Sequence, residues 1–275
     1  MNGKTALVVL GMHRSGTSSV AGTLALLGAK APQTLMRPAE DNPKGFWESE
    51  VLAELNDRLL AAGGSNWHDW RRFDLASVSE ALPSFHNEAT KKLATEFGDA
   101  NLIVLKDPRI CRLFGFWRNV LEESGYRVVV ISPLRSPAEV AASLMARNDM
   151  SRSHALRLWL RHVSDAERVS RSLPRRLLAW SDFIADWRGQ IVQMSRSLNV
   201  TFDSSGETEA RIDDFLSAEL KRQNTDESVP DAIRRAHQLL LLTARDGDHP
   251  DLQRDLDGVR QAFEQACDLF SDAPR

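Results

Sequence analysis

TALVVLGMHRSGTSSVA, residues 5–21, passes from a run of aliphatic side chains through a polar turn into a helical pattern. The apolar run ahead of Gly11 predicts a buried β-strand, and the hydroxyl-rich run after Gly16 predicts the start of a helix. The two glycines let the backbone bend sharply and approach a ligand closely. This stretch therefore predicts a strand, a tight turn and a helix in direct succession.

The turn has the features of an anion site. The first N–H groups of a helix are unpaired, and the positive end of the helix dipole points into the turn. Arg14 adds a fixed positive charge, and three hydroxyl donors follow, those of Ser15, Thr17 and Ser18. The glycine spacing is that of a Walker A loop, but Thr17 stands where nucleoside triphosphatases place lysine. The turn is predicted to bind phosphate without being an ordinary ATPase loop; a plain glycine turn is the alternative.

Composition limits the partners and the compartment. The 275 residues, 42% of them hydrophobic, suffice for one large α/β domain with a core of its own. A net charge of −3 argues against a general nucleic-acid or anionic-membrane binder, so any anion site must be local. Two cysteines favour a reduced compartment, and no apolar run reaches the roughly 18 residues of a membrane span. We expect a cytoplasmic protein without a signal peptide.

A βα rhythm recurs along the chain. Further buried strands are predicted at residues 102–105, 127–131 and 176–180. Strands that are apolar on both faces and alternate with helices predict a parallel sheet with helices on both sides. We expect a three-layer, P-loop-like α/β fold in a single domain, 1–275, with residues 1–200 as the core and 201–275 as a helical C-terminal layer. Because ligands bind at the carboxyl ends of such strands, Arg14, Lys106 and Arg135 should gather at one rim.

Three motifs, in order over roughly residues 5–200, resemble those of the sulfotransferases that use 3′-phosphoadenosine 5′-phosphosulfate (PAPS). GMHRSGTSS, from Gly11, is similar to their 5′-phosphosulfate loop, and LRSPAEVAASL, from Leu134, is similar to their 3′-phosphate signature. LLAWSDFIADW, from Leu177, is similar to the segment after their last sheet strand, although tryptophan and serine stand there in place of the usual tyrosine and glutamate.

The resemblance implies PAPS as co-substrate and no metal, and the sequence shows no cluster with metal-ligand spacing. It implies that Arg14 bridges the 5′-phosphate and the transferring group. The remaining donor-binding residues are then Ser15, Gly16, Thr17 and Ser18 at the 5′-phosphate and Arg135 and Ser143 at the 3′-phosphate. The alternative for the last two is a helix-start surface charge and an ordinary helix hydroxyl.

KDPR, residues 106–109, resembles the Lys-Asp-Pro segment of the tyrosylprotein branch and of many bacterial sulfotransferases. This resemblance implies that Lys106 approaches the sulfuryl group as a second electrostatic residue. Asp107 and Arg109 are more simply interpreted as a local salt bridge in the turn.

Three residues are candidates for the general base. Glu48 is placed first, because it ends a Gly/Pro loop on the expected acceptor side and a carboxylate beside Phe46 and Trp47 should have a raised pKa. Asp107 comes second. His13, inside the loop, comes third and is more simply a packing residue.

Other residues support weaker interpretations. Trp47, Trp67 and Trp70 are the tryptophans expected to line an acceptor cleft, and Lys221 and Arg222 could reach the 3′-phosphate. The expected partner is a hydroxyl-bearing acceptor such as a carbohydrate, a peptide or another small metabolite, with no nucleic acid. Two rival functions stay open, a P-loop nucleotide or small-molecule kinase and a non-catalytic nucleotide-binding domain.

Overall fold

The computed structural model describes residues 3–40, 42–217 and 228–269. Four strands are present in these ranges: β1 (Lys4–Val9), β2 (Leu102–Lys106), β3 (Tyr126–Leu134) and β4 (Arg175–Ala179). The helices of the core are α1 (Thr17–Leu26), α2 (Glu50–Ala62), α3 (Leu82–Phe97), α4 (Ile110–Glu123), α5 (Pro137–Asn148), α6 (Arg152–Ser170), α7 (Trp180–Ala185) and α8 (Trp187–Leu198). Three more follow, α9 (Gly206–Ser217), α10 (Asp231–Asp246) and α11 (Pro250–Leu269), and a short 3-10 turn spans Leu75–Val78.

The four strands form one parallel sheet in the order β2-β1-β3-β4. At the carboxyl end of β1, Val9 lies opposite Lys106 of β2 and Ile131 of β3. The predicted α/β class with a central parallel sheet is confirmed, and the strand ends meet at one rim.

Both faces of the sheet are buried. In β1, Val8 joins an apolar cluster with α2, α3 and α4, while Leu7 and Val9 join a second cluster with α1, α8 and α9. Successive residues of a strand point to opposite faces, so an unbroken aliphatic run is what a strand between two helical layers needs.

β3 continues three residues beyond its predicted end, through Pro133 to Leu134. The backbone of Ile131 faces β1, where its carbonyl accepts from the Leu10 amide. The N–H of a residue at position 133 would face that same side, but proline has none. Because β1 no longer pairs with β3 at this position, no sheet hydrogen bond is lost. The extension carries Arg135 to the rim directly after the strand.

The expected helical C-terminal layer is present in the described residues. α10 packs on β4, α5 and α6 through a cluster that includes Leu239 and Leu240, and α9 packs on α1. The helices α7 and α8 are separate, because the chain turns at Asp186, whose carboxylate accepts from the Gly189 amide and caps α8. None of the described helices is both long and apolar enough to cross a bilayer.

Candidate active site

The loop between β1 and α1 is held in a conformation that requires glycine at one position. Gly16 has φ +84°, and Arg14 also has a positive φ, 70°. A Cβ on Gly16 would lie 2.3 Å from Cε3 of Trp180, so the indole packs directly against the loop backbone. Trp180, which stands where tyrosine is usual, therefore packs against the loop at Gly16.

An alanine at Gly16 should disrupt this contact. We expect Gly16→Ala to lower the free energy of unfolding by about 2–4 kcal/mol, because left-handed strain adds to the overlap with Trp180. Gly125 is the matched control: its φ of +83° is nearly equal, but no described neighbour lies within 4 Å of the position that an alanine methyl group would take. Gly125→Ala should therefore cost only about 1 kcal/mol. Thermal and urea unfolding measure both, and equal losses would contradict the role of Trp180.

A buried hydroxyl of the loop is unsatisfied. Ser15 is 1% exposed, and its Oγ finds no hydrogen-bond partner among the described residues. Buried polar atoms are almost always hydrogen-bonded, so an unsatisfied donor at a helix start is a feature that an anion would complete. Thr17 opens α1 and, like Gly16, lines the cleft above the loop.

Lys106 joins the loop helix to the segment before α2. Its Nζ lies 2.5 Å from Oε1 of Glu48, 3.0 Å from the Phe46 carbonyl and 3.3 Å from Oγ of Ser18. Lys106 is the last residue of β2, so the strand sets its position. Ser49, the residue after Glu48, caps α2 with its side chain and so holds the chain in place beside Glu48. Residues 88 positions apart in the chain, Ser18 and Lys106, thereby meet in one cluster.

Glu48 is a buried carboxyl group with a raised pKa. It is only 2% exposed, and burial is the largest cause of the shift, opposed by the neighbouring Lys106 and supported by the charge of Asp107. The pKa shift is in the expected direction, and its causes are burial and the charge of Asp107. A carboxylate with a raised pKa accepts a proton more readily, as a general base must.

Asp107 is occupied by structural contacts. Its Oδ1 accepts from Nη1 of Arg109 at 3.0 Å, which confirms the predicted pair in the turn, and its Oδ2 accepts from Asn56 at 2.9 Å. Burial alone would raise the pKa of Asp107, but Arg109 and these hydrogen bonds hold it below the usual value. A lowered pKa makes Asp107 a weaker base than Glu48.

The predicted 3′-phosphate residues lie beside the loop. Nε of Arg14 donates to Oγ of Ser143 at 2.8 Å, although 129 positions separate them in the chain. Arg135 donates from Nη1 to the Arg14 carbonyl at 3.2 Å and pairs through Nε with Glu139 at 2.6 Å. The structure thus brings Arg14, Arg135 and Ser143 together, and Arg135 has a carboxylate partner on its own helix.

His13 is half-buried in the loop and packs edge-on against Trp67, with ring centroids 4.9 Å apart. Its pKa lies well below the ordinary value, first because of burial and then because of the charges of Arg109 and Lys106. A neutral imidazole with so low a pKa is a poor proton acceptor, which favours the packing role.

A small cleft of about 30 Å³ opens above the loop. Besides loop residues it is lined by Asn42, Phe46, Glu48, Lys106 and Arg147. Arg147 is a site residue that the sequence analysis missed, and the signal was its position four residues after Ser143, on the same helix face. Its guanidinium lies 5.3 Å from the centre of the Phe46 ring.

The three tryptophans expected at the acceptor cleft are not among the described residues that line the cleft above the loop. The indole of Trp47 packs on Phe215, Trp67 covers His13, and Trp70 is buried under α6 and α11. Lys221 and Arg222 fall outside the described residues. The described residues hold no group of three or more His, Cys, Asp or Glu side chains placed to bind a metal ion.

No protein-family model matches the sequence, and no curated protein matches it either. Among solved structures, the chain is similar to sulfotransferase STF1 of Mycobacterium tuberculosis H37Rv, with 16% identity, coverage of 76% of this chain and 70% of that chain, and a TM-score of 0.44. It is also similar to the sulfotransferase domain of the Synechococcus PCC 7002 olefin synthase, with 16% identity, 94% of each chain covered and a TM-score of 0.46. At this degree of similarity the activity has to be deduced from the site itself.

Proposed function

We propose that this protein is a sulfotransferase that moves a sulfuryl group from PAPS to a hydroxyl acceptor without a metal. The observation that carries the proposal is the buried Lys106–Glu48 pair, which lies against Ser18 at the start of the loop helix. It supplies a cation and a carboxylate with a raised pKa at the mouth of an anion-binding turn.

The proposed reaction needs a proton acceptor and fixed positive charge. The acceptor oxygen forms a bond to sulfur while the bond between sulfur and the 5′-phosphate oxygen breaks, and the hydroxyl proton passes to Glu48. Negative charge develops on the leaving phosphate and on the sulfuryl oxygens, where Arg14 and Lys106 would stabilise it. Removing one such fixed donor typically costs on the order of 3 kcal/mol of transition-state stabilisation.

The loop and its neighbours would hold the two phosphates of the donor. The unsatisfied Ser15 hydroxyl, with Gly16, Thr17 and Ser18 at the helix start, suits the 5′-phosphate. Arg135 and Ser143, joined to the loop through Arg14, suit the 3′-phosphate. A second phosphate site of this kind has no use in binding ATP, which is why we place the kinase alternative below the sulfotransferase.

The acceptor in this proposal is a hydroxyl of a carbohydrate, a peptide or another small metabolite. We further propose that residues 1–275 act as one domain and that the protein works in the cytoplasm. The cysteine content supports the last point, since Cys111 and Cys267 are both buried and unpaired.

Calorimetry with adenosine 3′,5′-bisphosphate tests the donor site. We expect the bisphosphate to bind at least about tenfold more tightly than ATP with magnesium and than adenosine 5′-monophosphate, because only the bisphosphate offers a 3′-phosphate to Arg135 and Ser143. Tighter binding of ATP would overturn the proposal in favour of a kinase. Tight bisphosphate binding with no sulfate transfer to a broad panel of hydroxyl compounds would favour the non-catalytic alternative.

A further inference from the structure

Arg109 connects Glu48 to a carboxylate on α2. Its Nη1 lies 3.5 Å from Oε2 of Glu48, whereas Lys106 contacts the other oxygen, Oε1. Its Nε and Nη2 donate to the two oxygens of Asp57, at 2.6 Å and 3.0 Å. This two-bond contact fixes the plane of the guanidinium as well as its position.

A second set of hydrogen bonds holds the other end of Arg109. Asp107 accepts from both the backbone amide and Nη1 of Arg109, at 2.9 Å and 3.0 Å. Asn56, which is fully buried, donates to Asp107 and accepts from the indole of Trp117 at 2.7 Å. Because both ends of the Asn56 amide are used, Asp107 has little freedom to move, and Arg109 is held between two carboxylates.

We propose that Asp57 is a positioning residue for the proposed transfer reaction: it fixes the orientation of the Arg109 guanidinium beside Glu48 and offsets part of the positive charge that the Glu48 carboxylate senses. The inference rests on the proposed function for its role in catalysis. The electrostatic effect itself follows from the contacts alone.

The charges around Glu48 show why Asp57 matters. Two cations, Lys106 and Arg109, contact the carboxyl group, and Asp107 opposes them from the turn after β2. Arg14, Arg147 and the neutral His13 line the same cleft. Asp57 is a second carboxylate, besides Asp107, that pairs with the Arg109 guanidinium. Without its charge, the ionised form of Glu48 would be more strongly stabilised and Glu48 would become a weaker base.

The competing explanation is purely mechanical, with the Asp57–Arg109 pair only tying α2 to the turn after β2. A mechanical role predicts lower stability when the pair is broken and no specific change in the titration of Glu48. The titration of Glu48 therefore separates the two explanations.

Asp57→Asn, in the full-length protein without ligands, is the test. The titration of the Glu48 side-chain carboxyl is followed by ¹³C NMR, with its signal assigned through Glu48→Gln. We expect the midpoint to move to lower pH in Asp57→Asn and to return in Asp57→Glu. Glu54→Gln, the control, removes an exposed carboxylate from the same helix and should leave the midpoint unchanged. An unmoved midpoint or a move to higher pH in Asp57→Asn, or an equal move in the control, would overturn the proposal.

Activity and binding separate this inference from the proposed function. Asp57→Asn should lower sulfate transfer about tenfold, since a weaker base transfers the proton less effectively, and the acid limb of the pH–rate profile should move to lower pH. Binding of adenosine 3′,5′-bisphosphate should change less than about twofold, because Asp57 is not among the residues that line the cleft above the loop. If the unmodified protein bound no bisphosphate, the proposed function would fail while the NMR result would still decide the role of Asp57.

Discussion

Glu48→Gln is expected to lower sulfate transfer at least about a hundredfold, because glutamine keeps the shape of the side chain but cannot accept a proton. Its amide oxygen can still accept from Lys106, which now lies 2.5 Å from the carboxylate. Binding of the donor product should therefore survive. Transfer from labelled PAPS to a panel of hydroxyl compounds measures the rate, and calorimetry with adenosine 3′,5′-bisphosphate measures the binding.

Glu50→Gln is the matched control for this prediction. Glu50 lies two residues away on the exposed side of the first turn of α2, outside the lining of the cleft. It should keep essentially full transfer. If Glu48→Gln kept full transfer as well, Glu48 would not be the base. Loss of bisphosphate binding in Glu48→Gln would instead indicate that the substitution had damaged the fold of the site.

Glu167→Ala should cause the largest loss of stability, about 3–5 kcal/mol, because it breaks a buried ion-pair network. Glu167 is 4% exposed on α6 and accepts from Arg171 through both oxygens, at 2.8 Å and 2.7 Å. It also accepts from Arg175 of β4 at 3.2 Å. The same two arginines pair with Asp248 and Asp257, so Glu167 ties the C-terminal helices to the core.

Calorimetric melting is the measurement, with an expected fall in Tm of roughly 6–20 °C for a loss of that size in a chain of this length. Glu122→Ala removes a comparable i,i+4 partner from Arg118, but on an exposed surface, and should cost at most about 1 kcal/mol. Similar losses in the two variants would show that the network around Glu167 contributes no more than a surface pair.

Most of the fold could be predicted because its signals are local. The sequence predicts four buried strands, and the described residues contain four. Local signals failed where a longer-range partner decides the outcome. The extension of β3 through Pro133 depends on where the pairing of β3 with β1 ends.

The residues of the candidate site also fall into those that could be predicted and those that could not. The loop, Lys106 and Arg135 were predicted to share a rim because strand ends in a parallel sheet must coincide. Arg147 was missed, because an arginine near the end of a helix is usually just a solvent-exposed charge. Asn56 and Asp57 were missed for a different reason: they lie within a helix whose apolar face explained its pattern completely.

Periodicity and glycine spacing within a few residues are enough to specify the strand–turn–helix loop, the alternation of strands and helices around a parallel sheet, and the residue types at the rim. Which charges meet is set by the assembled fold. It pairs Lys106 with Glu48 across 58 positions and Arg109 with Asp57 across 52. The protonation of Glu48 depends on burial and on those distances, and neither quantity exists until the sheet and its two helical layers have assembled.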